Sequence, residues 1–426
     1  MPRITASEWT AADESEALTM TRRNIATAYV ASCLKNLQFF GAVAVPFFLD
    51  WLRVDYTRMF ILQAWFLFWV FTLEIPTGIV ADKFGRKFSV GIGCLLFGAD
   101  MLFFGLSTSY ALLFVAEFLG AIGMTFVSGA EQALLYDSLV ALGLQGRARL
   151  YFSRYEAAGT LGLLLAFPVG SFIAGLGRYP QLLPVPFLMS AVSAVLAAVA
   201  YLSMREPDRT KPKDGFLRMG VQGLRTLLVH AELRAYVLNA VTISAVTFFA
   251  FWFYQPVARR AGMGVAYLGL FGAGFNLFST LLLANSALLE RALGIRRILL
   301  LSAIVPAVLF AALGVVYRLA FVVPAFFLLV GCKMVRMPVL NDLINRHIES
   351  ENRATVISSI SLLERLVTFL LYPLIGGLAD VSVDYALYTL AALCGAFAVG
   401  TRLSDQRLAR AVARTSPEPD SREPVS

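Results

Sequence analysis

The sequence predicts an all-α integral membrane protein with twelve transmembrane helices in two six-helix pseudo-repeats and both termini in the cytoplasm. Three observations predict it. Of the 426 residues, 58% are hydrophobic and 15% charged, and mean hydropathy is +0.71. A soluble chain carries about a quarter charged residues, so most of this surface faces something apolar. Apolar runs of about 20 residues, enough to cross a hydrocarbon core about 30 Å thick, recur along the chain. Basic residues gather in alternate turns between those runs, which is how topology is written in membrane proteins.

The runs are Ile25–Leu49, Met59–Val80, Phe88–Leu106, Ala111–Leu135, Tyr155–Leu176 and Leu182–Met204, then Tyr236–Val257, Tyr267–Leu289, Ile298–Tyr317, Leu319–Leu343, Thr355–Leu378 and Tyr385–Arg402. With the N-terminus inside, the inner segments hold most of the 36 Lys and Arg. They include Lys83, Arg86 and Lys87 after the second span, Arg147, Arg149 and Arg154 after the fourth, and Arg291, Arg296 and Arg297 after the eighth. Lys333, Arg336, Arg346 and Arg353 are assigned to the turn after the tenth. Outer segments hold only Arg53, Arg58, Arg178, Arg259, Arg260 and Arg318, and only Lys35 and Arg365 fall deep within spans. A miscount of spans would scramble this alternation.

The same reading divides the chain. Residues 1–22 form a cytoplasmic tail, 23–204 the first six-helix bundle, 205–234 a linker, 235–402 the second bundle, and 403–426 a disordered tail rich in Pro, Ser and acids. Gly220 to Arg234 reads as an amphipathic helix, with Leu224, Leu227, Leu228 and Leu233 on one face. Met1 to Arg23 has no apolar core, so no cleavable signal peptide is expected.

The net charge of +8 is distributed as loop charge, not as a basic face, which excludes a nucleic-acid partner. Cys33, Cys94, Cys332 and Cys394 are far apart, and the two histidines, His230 and His347, complete no metal-ligand spacing. No disulfide, metal or cofactor is expected. A lipid-modifying enzyme would need His, Asp and Glu clustered at one interface, so an enzyme is not expected either, and no phosphate-binding loop supports direct ATP drive.

The halves echo one another. Asp137 and Asp342, Arg149 and Arg353, and Pro168 and Pro373 recur at nearly one offset, about half the chain length. The turn Asp82-Lys83-Phe84-Gly85-Arg86-Lys87 has a looser counterpart in Glu290 to Arg297. A duplicated six-helix unit explains the common offset, and such repeats place a substrate site where they meet.

The sharpest motif runs Glu74-Ile75-Pro76-Thr77-Gly78-Ile79-Val80-Ala81-Asp82-Lys83-Phe84-Gly85-Arg86-Lys87. It resembles the signature between the second and third helices of the major facilitator superfamily, G-x-x-x-D-(R/K)-x-G-(R/K)-(R/K), at every defined position. Gly78 permits close helix approach and Gly85 a short turn. Ser128 to Leu139, and Arg353 to Leu362, resemble a bacterial branch of drug and metabolite exporters in that superfamily. The resemblance spans roughly Arg22 to Arg402. It implies two six-helix domains around a central cavity and alternating access by rocking. It further implies that Asp82 meets the start of the eleventh span, at Ala354 to Val356, and that Arg86 meets Asp137. The arginine common in the fourth span of proton-coupled drug exporters is missing. Phe167-Pro168-Val169-Gly170-Ser171 also replaces the antiporters' Gly-Pro-x-x-Gly-Gly.

Ionisable residues within spans are costly and are functional candidates by default. Lys35 lies roughly 15 Å along the first span, near the midplane, and forms with Asn36 and Gln38 the best central polar cluster. Glu117 in the fourth span is the acid expected to neutralise it. Glu364 and Arg365 in the eleventh span follow, either in the cavity or as a structural pair, and Asp100 in the third reads as structural. Trp65, Trp69, Trp252 and Tyr254 read as packing aromatics before cavity walls.

The expected function is secondary transport of a small amphipathic molecule, as an exporter with protons as a coupling partner. The alternatives are an importer or uniporter of a small metabolite, and a non-transporting sensor of the same fold. The expected setting is the plasma membrane, as a multi-pass monomer.

Overall fold

A computed structural model of the chain describes residues 11–177, 179–207, 231–345 and 353–400. The tail at 403–426, most of the linker and of its expected amphipathic helix, and the first ten residues lie outside the described residues.

Among the described residues every regular element is a helix. The order is α1 (Ala11–Lys35), α2 (Tyr56–Phe84), α3 (Arg86–Leu106), α4 (Tyr110–Val127), α5 (Ala130–Ala141), α6 (Ala148–Ala174) and α7 (Val185–Ser203). After the linker follow α8 (Ala231–Phe248), α9 (Ala250–Arg260), α10 (Val265–Ala284), α11 (Ser286–Leu313), α12 (Leu319–Asn345), α13 (Arg353–Val381) and α14 (Val383–Gly400). Among the described residues eleven helices are long and apolar enough to cross a membrane, or twelve if one bent pair is counted as a single span. Helices suit this environment because each satisfies its own backbone in a solvent without hydrogen bonds.

Three expected spans are broken. The first bends by 52° between Arg22–Ala42 and Ala44–Trp51. Its α-helix stops at Lys35 and resumes as short turns from Phe39. The fourth is split into α4 and α5 at Ser128 and Gly129, where Gly129 has φ 74°. The seventh is split into α8 and α9 at Phe249.

Contacts divide the chain into two compact units that are not the two sequence halves. The larger contains Met1–Asp214 with Trp252–Leu277 and Phe369–Val381, and the smaller contains Gly215–Phe251, Phe278–Thr368 and Ser382–Ser426. In the larger unit α3 packs on α4 and α7, and α1 on α6 and α7. Its core joins Ala28, Ala31, Cys94, Leu134, Tyr155, Ala197 and Tyr201. Small residues dominate because lipid tails give no hydrophobic drive between helices, so close van der Waals approach must hold them. In the smaller unit Tyr236, Val237, Ile298, Val339, Leu340 and Leu343 form the corresponding core. Outward residues such as Leu106, Leu370 and Val399 are left exposed for lipid.

One charge assignment is corrected. Lys333 and Arg336 belong to α12, which runs on to Asn345, and not to an inner turn. Arg336 is only 1% exposed. The tenth apolar run, Leu319–Leu343, already encloses both positions, and the charge rule counts a cation without reading whether its helix carries it into the protein interior.

Candidate functional site

Both breaks in the first half present a charge. Lys35 is in the last turn of α1, and Glu131 is in the first turn of α5. A cation suits a helix C-terminus and an anion an N-terminus, because unpaired carbonyls and amides there carry partial charges of opposite sign. The two side chains form an ion pair, with the side chains 20% and 16% exposed. The Tyr155 hydroxyl also donates to Glu131 at 2.8 Å, and lies 2.8 Å from the Tyr201 hydroxyl.

The acid on Lys35 is therefore Glu131 and not Glu117. Glu117 accepts a hydrogen bond from Gln63 Nε2 at 2.7 Å. Both acids belong to the expected fourth span, but the break at Gly129 re-aims the chain, so Glu131 reaches α1. Sequence distance along an unbroken helix could not show this. The combination Ser128-Gly129 ahead of an acid was the available signal, since a glycine followed by an acid often opens a helix.

A cavity of about 430 Å³ surrounds the pair. Lys35, Asn36, Gln38, Ser128 and Glu131 line its polar part, and Phe66, Phe97, Met124 and Val127 its apolar part. Few polar groups on an apolar wall are what small-molecule sites show. Asn36 and Gln38 belong to the break in the first span, and the backbone freed there is satisfied locally. Asn36 Nδ2 donates to the Ser32 carbonyl at 2.8 Å, and Ser193 Oγ to the Leu37 carbonyl at 3.0 Å. Gln255 Nε2 donates to the Gly41 carbonyl at 3.0 Å, and Gln255 Oε1 accepts from the Val45 amide at 3.0 Å. A broken helix at membrane depth is tolerated only where it is so satisfied or lines a cavity, and this one does both.

The other candidates lie elsewhere. Glu364 accepts from Ser244 Oγ in the smaller unit, and Arg365 beside it is half-buried. In the same unit Arg336, which the sequence reading placed in a loop, donates to Asn239, to Ser302 Oγ at 2.8 Å and to the Leu299 carbonyl at 2.8 Å. Trp65 packs on Phe68, Trp69 and Phe114, and Trp252 meets Phe60 edge-on, so the cavity aromatics are Phe66 and Phe97 instead.

At the motif, Gly85 turns the chain with φ 108° between α2 and α3. Arg86 pairs with Asp137 and donates to the Ala133 carbonyl at 2.9 Å. Glu206, in the polar stretch after α7, accepts from the Arg86 and Lys87 amides at 2.7 and 2.8 Å and so caps α3. Lys87 Nζ donates to the Met204 carbonyl at 3.0 Å. Pro76 and Gly78 are exposed, Glu74 is half-buried, and the side chains of Asp82 and Arg353 lie outside the described residues.

Within the larger unit, segments from both halves of the sequence also meet. Asp380 on α13 accepts from the Tyr56 and Thr57 amides at 2.6 and 3.0 Å, so it caps α2 from a distance in sequence. Arg259 on α9 pairs with Asp50, which also accepts from the Tyr179 hydroxyl. Burial, and then the bond to Asp50, push the Tyr179 phenol above its ordinary value and keep it a neutral donor. Ser171 Oγ donates to the Ala266 carbonyl at 3.0 Å and accepts from the Gly269 amide at 2.9 Å.

The sequence profile of the Major Facilitator Superfamily matches residues 25–371. The chain belongs to that superfamily. It has the multi-pass helical fold of that superfamily. Multidrug resistance protein 1 of Bacillus subtilis (strain 168) is 25% identical over 194 residues, covering 45% of this chain and 47% of that one. The lincomycin resistance protein of Streptomyces lincolnensis is 29% identical over 180 residues, covering 40% of this chain and 34% of that one. The chain thus spans about half or less of the curated relatives it matches. Among solved structures, a variant of nucleoside transporter NupG superposes with TM-score 0.74 at 13% identity, covering 92% of this chain and all of that one. A bacterial homologue of the human lysosomal transporter Spinster gives 0.68 at 16% identity, with 93% and 94% covered. At these identities the structural likeness speaks for the fold alone.

Proposed function

We propose that this transporter exports a small amphipathic molecule across the plasma membrane by alternating access, with both termini in the cytoplasm and one chain as the working unit. One observation carries the reading: an ion pair held at two helix ends lies in a cavity whose apolar walls include Phe66, Phe97, Met124 and Val127. An apolar body fits the aromatic side. A polar or charged group on the same molecule competes with Glu131 for Lys35, or with Lys35 for Glu131. Because each charge is already stabilised by its helix end, the pair can open without stranding either one. The relatives named for multidrug and lincomycin resistance support the outward direction.

In this reading Glu74, Pro76, Gly78, Asp82, Gly85, Arg86, Lys87, Asp137 and Arg353 form the inner gate. Alternating access also requires the contacts of Asp50, Gln255 and Asp380 with their partners to part during each cycle. The test is a thermal-shift screen of purified protein against a panel of amphipathic cations, anions and zwitterions, followed by counterflow of each hit in proteoliposomes. Export is supported by hits that exchange across the membrane and lose binding in Lys35→Ala. A hit that binds without exchanging, with wild-type affinity in Lys35→Ala, sinks the reading.

A further inference from the structure

Two carboxyl groups lie inside the larger unit away from the ion pair. Asp100 on α3 is 3% exposed and Glu117 on α4 is 6% exposed. The Asp100 carboxyl packs against Gly120 so closely that a methyl group there would overlap its Oδ2. Gly120 follows Glu117 by one helical turn, so both acids address one patch of α4. Gly120 also lines the cavity, so this patch adjoins it.

The hydrogen-bond inventory leaves a gap. Glu117 has one donor, the Gln63 amide. Asp100 Oδ1 is buried and has no partner among the described residues. Among the described residues no lysine or arginine pairs with either acid. A further titratable group near this site is Tyr372 of α13. An ionised carboxylate accepts only, so two of them about one buried patch repel and still lack donors. One hydrogen turns one of the acids into a donor, which supplies the missing bond and removes a charge. Buried polar groups without partners ask for such an explanation, and intramembrane acids mark proton relays in transporters.

We propose that Asp100 and Glu117 form a proton-binding pair beside the cavity, one hydrogen held between two carboxyl groups, and that proton coupling acts here and not at Lys35 and Glu131. The proton comes from water through the cavity: an O–H bond forms at one carboxyl, and its return to water restores the carboxylate. The reading rests on the transporter assignment for its role in coupling, but proton binding itself needs no transported molecule. The two therefore fail independently.

The test is infrared difference spectroscopy of the reconstituted protein, without substrate, as the buffer is stepped between alkaline and neutral pH. Wild type is expected to show the carbonyl stretch of a protonated carboxyl, shifted by exchange into heavy water. Asp100→Asn and Glu117→Gln should each change the position or height of that band, and the double variant should lose it. Asparagine and glutamine keep the volume, and any one of the three variants that folds suffices. A wild-type spectrum without the band overturns the proposal. So does a band left unaltered in position and height by a folded variant.

Discussion

Each half of the molecule carries a cation that lipid would not tolerate, and the two are handled in opposite ways. Lys35 in the first half pairs with an acid at the edge of a cavity and is 20% exposed at its side chain. Arg336 in the second half is 1% exposed and is held by Asn239, Ser302 and a carbonyl, with no acid among its partners. Its exposure and its single acid partner mark Lys35 as the candidate to trade that partner for a ligand. Neutral acceptors around a dry guanidinium fix three helices in place and offer nothing to exchange. The lesson is that an intramembrane charge becomes a functional candidate through its access and its partner, not through its depth alone.

The largest expected effect tests the structural side of that contrast. Arg336→Ala leaves a cavity and several unpaired acceptors, at a cost of about 2–5 kcal/mol. Thermal unfolding of the purified variant should show a clear fall and the yield of folded protein should drop. Unchanged unfolding would mean that Arg336 is not a structural clamp. Lys35→Ala should do the reverse, keeping wild-type yield while transport of a counterflow-positive compound falls at least about tenfold, or about 1.4 kcal/mol. If folding and transport fall together, the two cations do not differ in kind.

Exchanging the charges sharpens the account of the pair. Lys35→Glu with Glu131→Lys restores opposite signs but puts each on the wrong helix end. Each misplacement costs about 0.3–1 kcal/mol, so the double variant should unfold below wild type and should not recover transport. Full recovery would show that pairing alone matters and that the helix breaks do not.

The smallest effects compare the corresponding turns of the two halves. Gly85 has φ 108° and Gly294 φ 75°. Either glycine replaced by alanine pays about 1–3 kcal/mol for a positive-φ extended backbone that is essentially reserved for glycine. At Gly85 the new methyl also meets the Glu206 carboxylate at 3.2–3.4 Å, whereas at Gly294 nothing lies within 4 Å. Gly85→Ala should therefore lower the unfolding temperature more than Gly294→Ala. Equal shifts would mean that the Glu206 cap contributes nothing to the difference.

What the sequence determined by itself is what a bilayer demands of any chain. Length and apolarity of each run, and the sign of the charge in each turn, are local properties that lipid and the insertion of basic loops act on directly, so the helical spans and the family motif were legible residue by residue. The shared positive-φ glycines at 85 and 294 carry the repeat that the offset suggested. Tertiary structure decided the rest. Asn36 and Gln38 look like tolerable polar residues in a span until Ser193 and Gln255, far away in sequence, satisfy the backbone that their break exposes. Glu131 became the partner of Lys35, and Glu117 did not, because a left-handed turn at Gly129 redirects one helix. Arg336 moved from loop to core because Asn239, Ser302 and the Leu299 carbonyl arrive to bond its guanidinium on α12. Each of these depends on groups distant in sequence arriving to complete a hydrogen bond or an ion pair, and in a medium with no water to stand in for them only the folded arrangement decides which groups arrive.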